Sequence, residues 1–173
     1  KRRAEMEIIQ AQEAGQVDST ILRPPHIYGS GSNPGTIPNH GRRPTLLDDI
    51  EAGMRLRLLQ GGLGLIQPIY VEDLGRIVVE MIEKTSSYGE AVTCAGPEVM
   101  TNLDYYKMLA SCIGVELKTT VYEPTTEDLM GINPYVWGHR YYDLSKLNRL
   151  LPDFEYTPFR QGIQDWVNYM RRA

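Results

Sequence analysis

Short apolar runs and amphipathic stretches follow one another along the 173 residues, and the period changes from run to run. Residues 1–14 read as a helix, with Ala4, Ile8 and either Ala11 or Ile9 on one side and Gly15 as its stop. Thr20, Ile21 and Leu22 form a short apolar run rich in β-branched residues that Pro24 and Pro25 end at once, because proline cannot donate to a sheet ladder. The pattern predicts a strand covered on both faces, as in a parallel sheet. Residues 29–41, rich in Gly, Ser, Asn and Pro, read as a long loop. Leu47, Ile50, Met54 and Leu58 recur at helical spacing and predict a helix over 45–59. Gly61, Gly62 and Gly64 turn the chain into an extended stretch, 65–71, which Pro68 marks as an edge strand or irregular.

The second half of the pattern is more regular. Glu72 and Asp73 open a helix whose stripe is Leu74, Ile77, Val78, Met81 and Ile82, and a helix cap is the structural reading of Asp73. Residues 91–95 form a buried strand ending at Gly96-Pro97. Thr101 and Asp104 have the spacing of a capping box, followed by an inner face of Leu103, Tyr106, Ala110 and Ile113 and a stop at Gly114. A short strand over 117–122 follows. From 123 on the chain reads as helical and irregular, with a helix broken near Asn133-Pro134 and a cluster of Trp137, Tyr141 and Tyr142. Phe159, Ile163, Trp166, Val167 and Met170 make the last amphipathic helix.

Composition narrows the function classes. The length suits one core. The charge balance, 18 Lys+Arg against 22 Asp+Glu, gives no electrostatic support for nucleic-acid binding. No apolar stretch approaches a membrane span, and no apolar segment follows the basic Lys1-Arg2-Arg3, so neither a membrane anchor nor a secretory leader is expected. Cys94 and Cys112 lack metal-ligand spacing and read as reduced core thiols of a cytoplasmic protein. Among the glycine-rich stretches none has the Walker or dinucleotide-binding spacing.

Four segments carry a family resemblance. Residues 23–29, Arg-Pro-Pro-His-Ile-Tyr-Gly, resemble the Arg-x-x-Asn-Val-Tyr-Gly segment of extended short-chain dehydrogenases/reductases, the NAD-dependent epimerase/dehydratase family. Lys1, Ala4 and Glu5 resemble the end of its Tyr-x-x-x-Lys signature, whose Tyr would stand four residues before Lys1. Tyr70-Val71-Glu72-Asp73-Leu74 and Asp143-x-Ser145-Lys146 match two later segments, the last read as a capped helix start with a solvated lysine. Order and spacing, more than any one motif, identify the chain as similar to the C-terminal half of such an enzyme.

The resemblance implies an α/β fold: the C-terminal part of a Rossmann-like parallel sheet (1–29 and 68–97) plus a mixed, mostly helical substrate-binding lobe (30–67 and 98–173). It implies NAD or NADP as cofactor, with the pyrophosphate loop belonging to the family's amino-terminal half. Lys1 would be the catalytic lysine that lowers the tyrosine pKa and binds the nicotinamide ribose. Pro24, Pro25 and His26 would line the cofactor, and His26, Tyr28, Gln67 and Arg140 the substrate. His26 stands where nucleotide-sugar enzymes have Asn, and Ile66-Gln67 where many have a phosphate-binding arginine, which weakens a nucleotide-sugar substrate. Arg140 reads equally as an anion contact or a surface salt bridge. The implied partners are a small hydroxyl or carbonyl substrate and a second copy in a homodimer. Two other readings stay open: a non-catalytic member binding a dinucleotide or a protein, and an RNA-binding relative, against which the acidic balance argues.

Overall fold

The structure, a computed structural model, describes residues 2–37, 40–41, 43–82, 84–125 and 138–172. Its elements alternate as an α/β chain. Helix α1 (Arg2–Glu13) leads to β1 (Ile21–Arg23) and β2 (His26–Tyr28), and α2 (Leu46–Glu51) to β3 (Leu56–Leu59), β4 (Leu65–Ile66) and β5 (Pro68–Tyr70). Then come α3 (Val71–Ile82), β6 (Ala91–Thr93), β7 (Met100–Thr101), α4 (Asn102–Ile113), β8 (Thr119–Tyr122), α5 (Ser145–Leu150) and α6 (Phe159–Met170).

Three strand pairs are parallel and one antiparallel. Strand β1 pairs with β6 (Leu22 opposite Val92), β2 with β5 (Ile27 opposite Ile69), and β3 with β8 (Leu58 opposite Val121). The short β4 runs antiparallel to β7. Backbone bonds from Cys94 N to the Arg23 carbonyl (3.2 Å) and from Gly96 N to the Pro68 carbonyl (2.9 Å) carry the chain from the first pair across to the second. The carboxyl end of β1 and the start of β2 thus lie against the residues that follow β6.

Two apolar clusters hold these pairs. One, around Ile69, Ile77, Met81, Val92 and Cys94, is closed by Leu147, Leu150 and Leu151 of α5 and the residue after it. The other joins Tyr28, Tyr70, Tyr105, Tyr106, Phe159 and Trp166 to Leu46, Ile50, Leu56 and Leu58. Cys94 and Cys112 are free and buried, and burial pushes the Cys94 thiol up to about 11, so it is an inert core group.

Several predicted elements need correction. The helix expected over 45–59 ends at Glu51; Gly53 has φ +69°, Met54 is exposed, and Leu56 and Leu58 point inward as alternate residues of a strand. Period 2 and period 3.6 both fit Leu56 and Leu58, and the glycine decides between them. The stretch 65–71 divides around Gln67 into two strands, and Pro68, buried, occupies the first position of β5, where its missing N–H is tolerated. Strand β1 is only half covered, whereas both faces were expected to be buried. The predicted capping box is present: Thr101 Oγ1 accepts from Asp104 N at 3.0 Å, and Gly114, at φ +90°, ends α4. The expected break near Asn133-Pro134 and Trp137 lie outside the described residues.

Candidate functional site

The candidate site is the corner where β1 ends, β2 begins and residues 138–142 return. Pro24 and Pro25 make the rigid step from β1 to β2, so His26 enters β2 opposite Pro68. Ligands of open α/β sheets sit outside the carboxyl ends of strands, which is where this step lies. Gly29 closes the segment at φ +118°; a Cβ there would meet Val71 Cγ1 at 2.6 Å. Only glycine fits that turn against the start of α3.

The return segment is fixed by hydrogen bonds to the stretch before β5. His139 Nδ1 accepts from Leu65 N at 3.1 Å, and Arg140 N donates to the Leu65 carbonyl at 2.8 Å. Tyr142 N donates to Gln67 Oε1 at 2.7 Å, while Gln67 Nε2 donates to the Gly96 carbonyl at 2.8 Å. Gln67 is buried with its amide engaged at both ends by backbone, a bridge between β6's exit and the return segment. Arg140 Nη2 donates to the Ile37 carbonyl at 2.6 Å, so one arginine holds the loop before α2 as well. Arg140 has no ion pair with any described carboxylate.

His26 sits with its Nε2 buried and, among the described residues, without a hydrogen-bond partner, its ring edge-on to Tyr105 at 5.6 Å between centroids. Burial first, and the Arg140 charge second, lower its pKa to about 4, so the imidazole is neutral near pH 7. Tyr28 lies deeper, buried between Phe159 (5.2 Å) and Tyr70 (5.4 Å), and burial raises its phenol far above the usual range. It serves as a wall of the aromatic cluster. Lys1 lies outside the described residues. The structure therefore brings together Pro24, Pro25, His26, Gln67 and Arg140, with Tyr28 behind them.

Sequence reasoning misses the burial of Tyr105 and the partners of Tyr106, Asp73 and Lys146. Tyr105 stands outside the predicted stripe of Leu103, Tyr106, Ala110 and Ile113, yet it is as fully buried as Tyr106. Tyr106 Oη accepts from Thr36 N at 2.8 Å and lies 3.0 Å from Thr36 Oγ1, which clamps the loop onto α4. Asp73, read as a helix cap, instead reaches the far end of the chain: it accepts from Thr157 N (3.0 Å), Thr157 Oγ1 (2.7 Å) and Arg76 Nη2 (2.6 Å). Lys146, read as solvated, pairs with Glu90 at 2.6 Å and donates to the Ala91 carbonyl. No local signal announces such long-range partners.

Known proteins give the frame for this corner. The chain is similar to solved structures along nearly all of its length. One is a UDP-N-acetylglucosamine 4-epimerase from Methanobrevibacter ruminantium in complex with UDP-N-acetylmuramic acid (TM-score 0.78, 15% identity, 99% of this chain and 52% of that one). Another is a UDP-glucose 4-epimerase from Thermotoga maritima with UDP-glucose (0.76, 21%, 99% and 52%). A third is a dTDP-glucose 4,6-dehydratase from Bacillus anthracis in complex with NAD (0.75, 16%, 98% and 50%). The chain spans about half the length of these structures, and at such identities they show the fold alone, the Rossmann-like fold of the epimerases. No curated protein matches the sequence. The model of the NAD dependent epimerase/dehydratase family matches residues 1–95, more than half of the chain, and the chain belongs to that family.

Proposed function

We propose that this chain forms the substrate-binding portion of an NAD(P)-dependent epimerase, dehydratase or reductase acting on a small hydroxyl or carbonyl substrate, sugar-like or otherwise. The observation that carries this reading is the corner itself. A parallel strand ends in Pro24-Pro25, and directly beyond it, at the start of β2, His26 Nε2 is buried without a hydrogen-bond partner among the described residues. Residues 1–29 and 68–97 then supply sheet elements, and 30–67 and 98–173 mainly the lobe.

The residues present fit the nicotinamide side of a dinucleotide. Pro24 and Pro25 offer a rigid backbone wall, His26 Nε2 offers a polar atom that the fold leaves unsatisfied, and Lys1 would reach the ribose by the resemblance. The bound dinucleotide would accept and return a hydride. What this chain contributes is orientation: His26 and Arg140 hold the substrate's polar groups, the aromatic cluster around Tyr28 shields them from water, and Gln67 keeps the return segment in place. Residues beyond this chain would supply the pyrophosphate loop, and the chain would pair as a homodimer through its α1 side, where Met6, Ile8 and Ile9 are exposed.

Titration of NAD and NADP into the native polypeptide, followed by fluorescence of the tryptophans, tests this. Saturable binding of one dinucleotide, weakened about tenfold by Lys1→Met through loss of a charge-assisted hydrogen bond, is the expected result. No binding of either dinucleotide would instead favour a protein-binding member of the superfamily.

A further inference from the structure

Helix α1 is held to the rest of the chain in an unusual way. It buries no residue, and its larger apolar side chains, Met6, Ile8 and Ile9, are 50%, 40% and 39% exposed. Among its described residues only Glu5, Ala11 and Gln12 are partly covered. A carboxylate is seldom the more covered group on a helix whose apolar side chains stand in the open. Its partner supplies the reason.

Glu5 meets Arg23 at two points. Arg23 Nη2 donates to Glu5 Oε2 at 2.6 Å, and Arg23 Nε donates to Glu5 Oε1 at 3.3 Å. A guanidinium fork on a carboxylate fixes direction as well as distance. The hydrogen bond from Arg23 holds the Glu5 carboxyl below the usual carboxylate range, so the pair stays ionised at neutral pH. The Arg3–Glu7 pair joins two residues of α1 itself and orders nothing beyond the helix. The Glu5–Arg23 pair joins two elements. A second tie, Gln12 with its side chain 2.7 Å from Ser19 Oγ, stands at the far end of α1.

The base of this contact is rigid. Arg23 ends β1 in register with Thr93, and its carbonyl accepts from Cys94 N at 3.2 Å. Its backbone passes straight into Pro24-Pro25, while its side chain holds α1. Glu5 follows Lys1 by four positions. One arginine thus joins the wall of the corner to the helix that begins beside the lysine. Exposed ion pairs add little stability, so what this pair offers is placement rather than strength.

We propose that Glu5 and Arg23 are a positioning pair, which sets the first turn of α1, and with it Lys1, against the Pro24-Pro25 wall. The assignment rests on the reading that Lys1 and this wall serve one dinucleotide. It gives two residues of the motif segments a shared task that neither segment shows by itself.

The test measures NAD and NADP affinity of the native polypeptide by tryptophan fluorescence, for the unsubstituted protein, Glu5→Gln, Lys1→Met and the double variant. Glu5→Gln keeps the size of the side chain and removes its charge. It should weaken dinucleotide binding about three- to fivefold, the range of an exposed ion pair. Once Lys1 is replaced by Met, the same change should cost less than about twofold, because residues that act through one another are not additive. Arg23→Met should repeat the loss from the other side, and combined with Glu5→Gln it should be no weaker than either alone. Should Glu5→Gln lose its far-ultraviolet dichroism, Glu5→Asp replaces it: the charge remains, the shorter side chain no longer spans the fork, and the same dependence on Lys1 is expected. An unchanged affinity in Glu5→Gln, or an equal loss with and without Lys1, would overturn the positioning role. Dinucleotide binding that is indifferent to Glu5 rejects this role alone. An unsubstituted protein that binds neither dinucleotide rejects the oxidoreductase reading and this role with it.

Discussion

His26 couples the site to stability through its proton. Its pKa in the folded chain, about 4, lies below the ordinary 6.5 because burial and the Arg140 charge oppose the imidazolium. The unfolded chain therefore takes up the proton first as pH falls. The contribution of neutral His26 is complete above 6.5 and is lost as pH drops from 6.5 towards 4. Integrated over that window the loss is on the order of 3 kcal/mol at most. His26→Gln, which has no proton to gain, should flatten this part of the profile. Melting temperatures of both proteins at the two ends of the window check it; parallel profiles would mean that the imidazole is not held neutral. The motif around His26 was legible as the wall of a site. That its ring would be buried against Tyr105 was not, because that contact comes from a helix far along the chain.

At the level of elements, legibility followed the number of signals that agreed. Helix α4 had a capping box, an apolar stripe and a terminal glycine, and the structure keeps all three. Residues 45–59 had only spacing, and spacing was satisfied equally by a short helix and a strand. Packing between elements was not legible at all, and two predictions belong to it. Tyr106→Phe removes the hydroxyl that receives Thr36 N and should cost about 1–3 kcal/mol by orphaning a buried N–H. The loss should be local, read as faster amide exchange at Thr36 with little change along α4; uniform acceleration would argue against a clamp. Gly162→Ala runs against propensity. Alanine favours a helix interior by about 1 kcal/mol, but a Cβ at this place in α6 would lie 2.7 Å from Tyr28 Oη and 3.2 Å from Tyr70 Cγ. Overpacking of this kind costs about 1–3 kcal/mol, so chemical denaturation should show a net loss; a stabilised variant would mean that the aromatic cluster yields easily.

Across the whole molecule the decisive bond is one that joins distant parts of the chain. Asp73, 2% exposed, accepts two hydrogen bonds from Thr157 and one from Arg76, whose Nη2 also donates to the Glu155 carbonyl. This ties the start of α3 to the approach of α6 and so links the two apolar clusters. Asp73→Ala would leave the Thr157 amide without its acceptor and the half-exposed Arg76 with only the Glu155 carbonyl, a loss of about 1–3 kcal/mol. Unfolding followed at Trp166 and by far-ultraviolet dichroism should then separate into two transitions, whereas coincident curves would show that the clusters are coupled by other contacts. The family and its α/β fold were legible from four short segments in order; the bonds that hold Arg140 to Leu65 and Ile37 were not, since their partners lie far apart in the chain.

Strand β1 has one further consequence. Ile21 N donates to the Glu90 carbonyl and the Arg23 carbonyl accepts from Cys94 N, so alternation along a parallel ladder turns the N–H and C=O of Leu22 away from β6. Among the described residues nothing pairs with that side, and beside it lies a groove lined by Thr20, Leu22, Val78 and Ile82. One amide thus serves as a gauge of assembly. With the groove open, the Leu22 proton trades with solvent deuterium within the earliest time points. Were a neighbouring strand to pair with that side, the same proton would become one of the slowest in the chain, and a single labelled position would report the pairing.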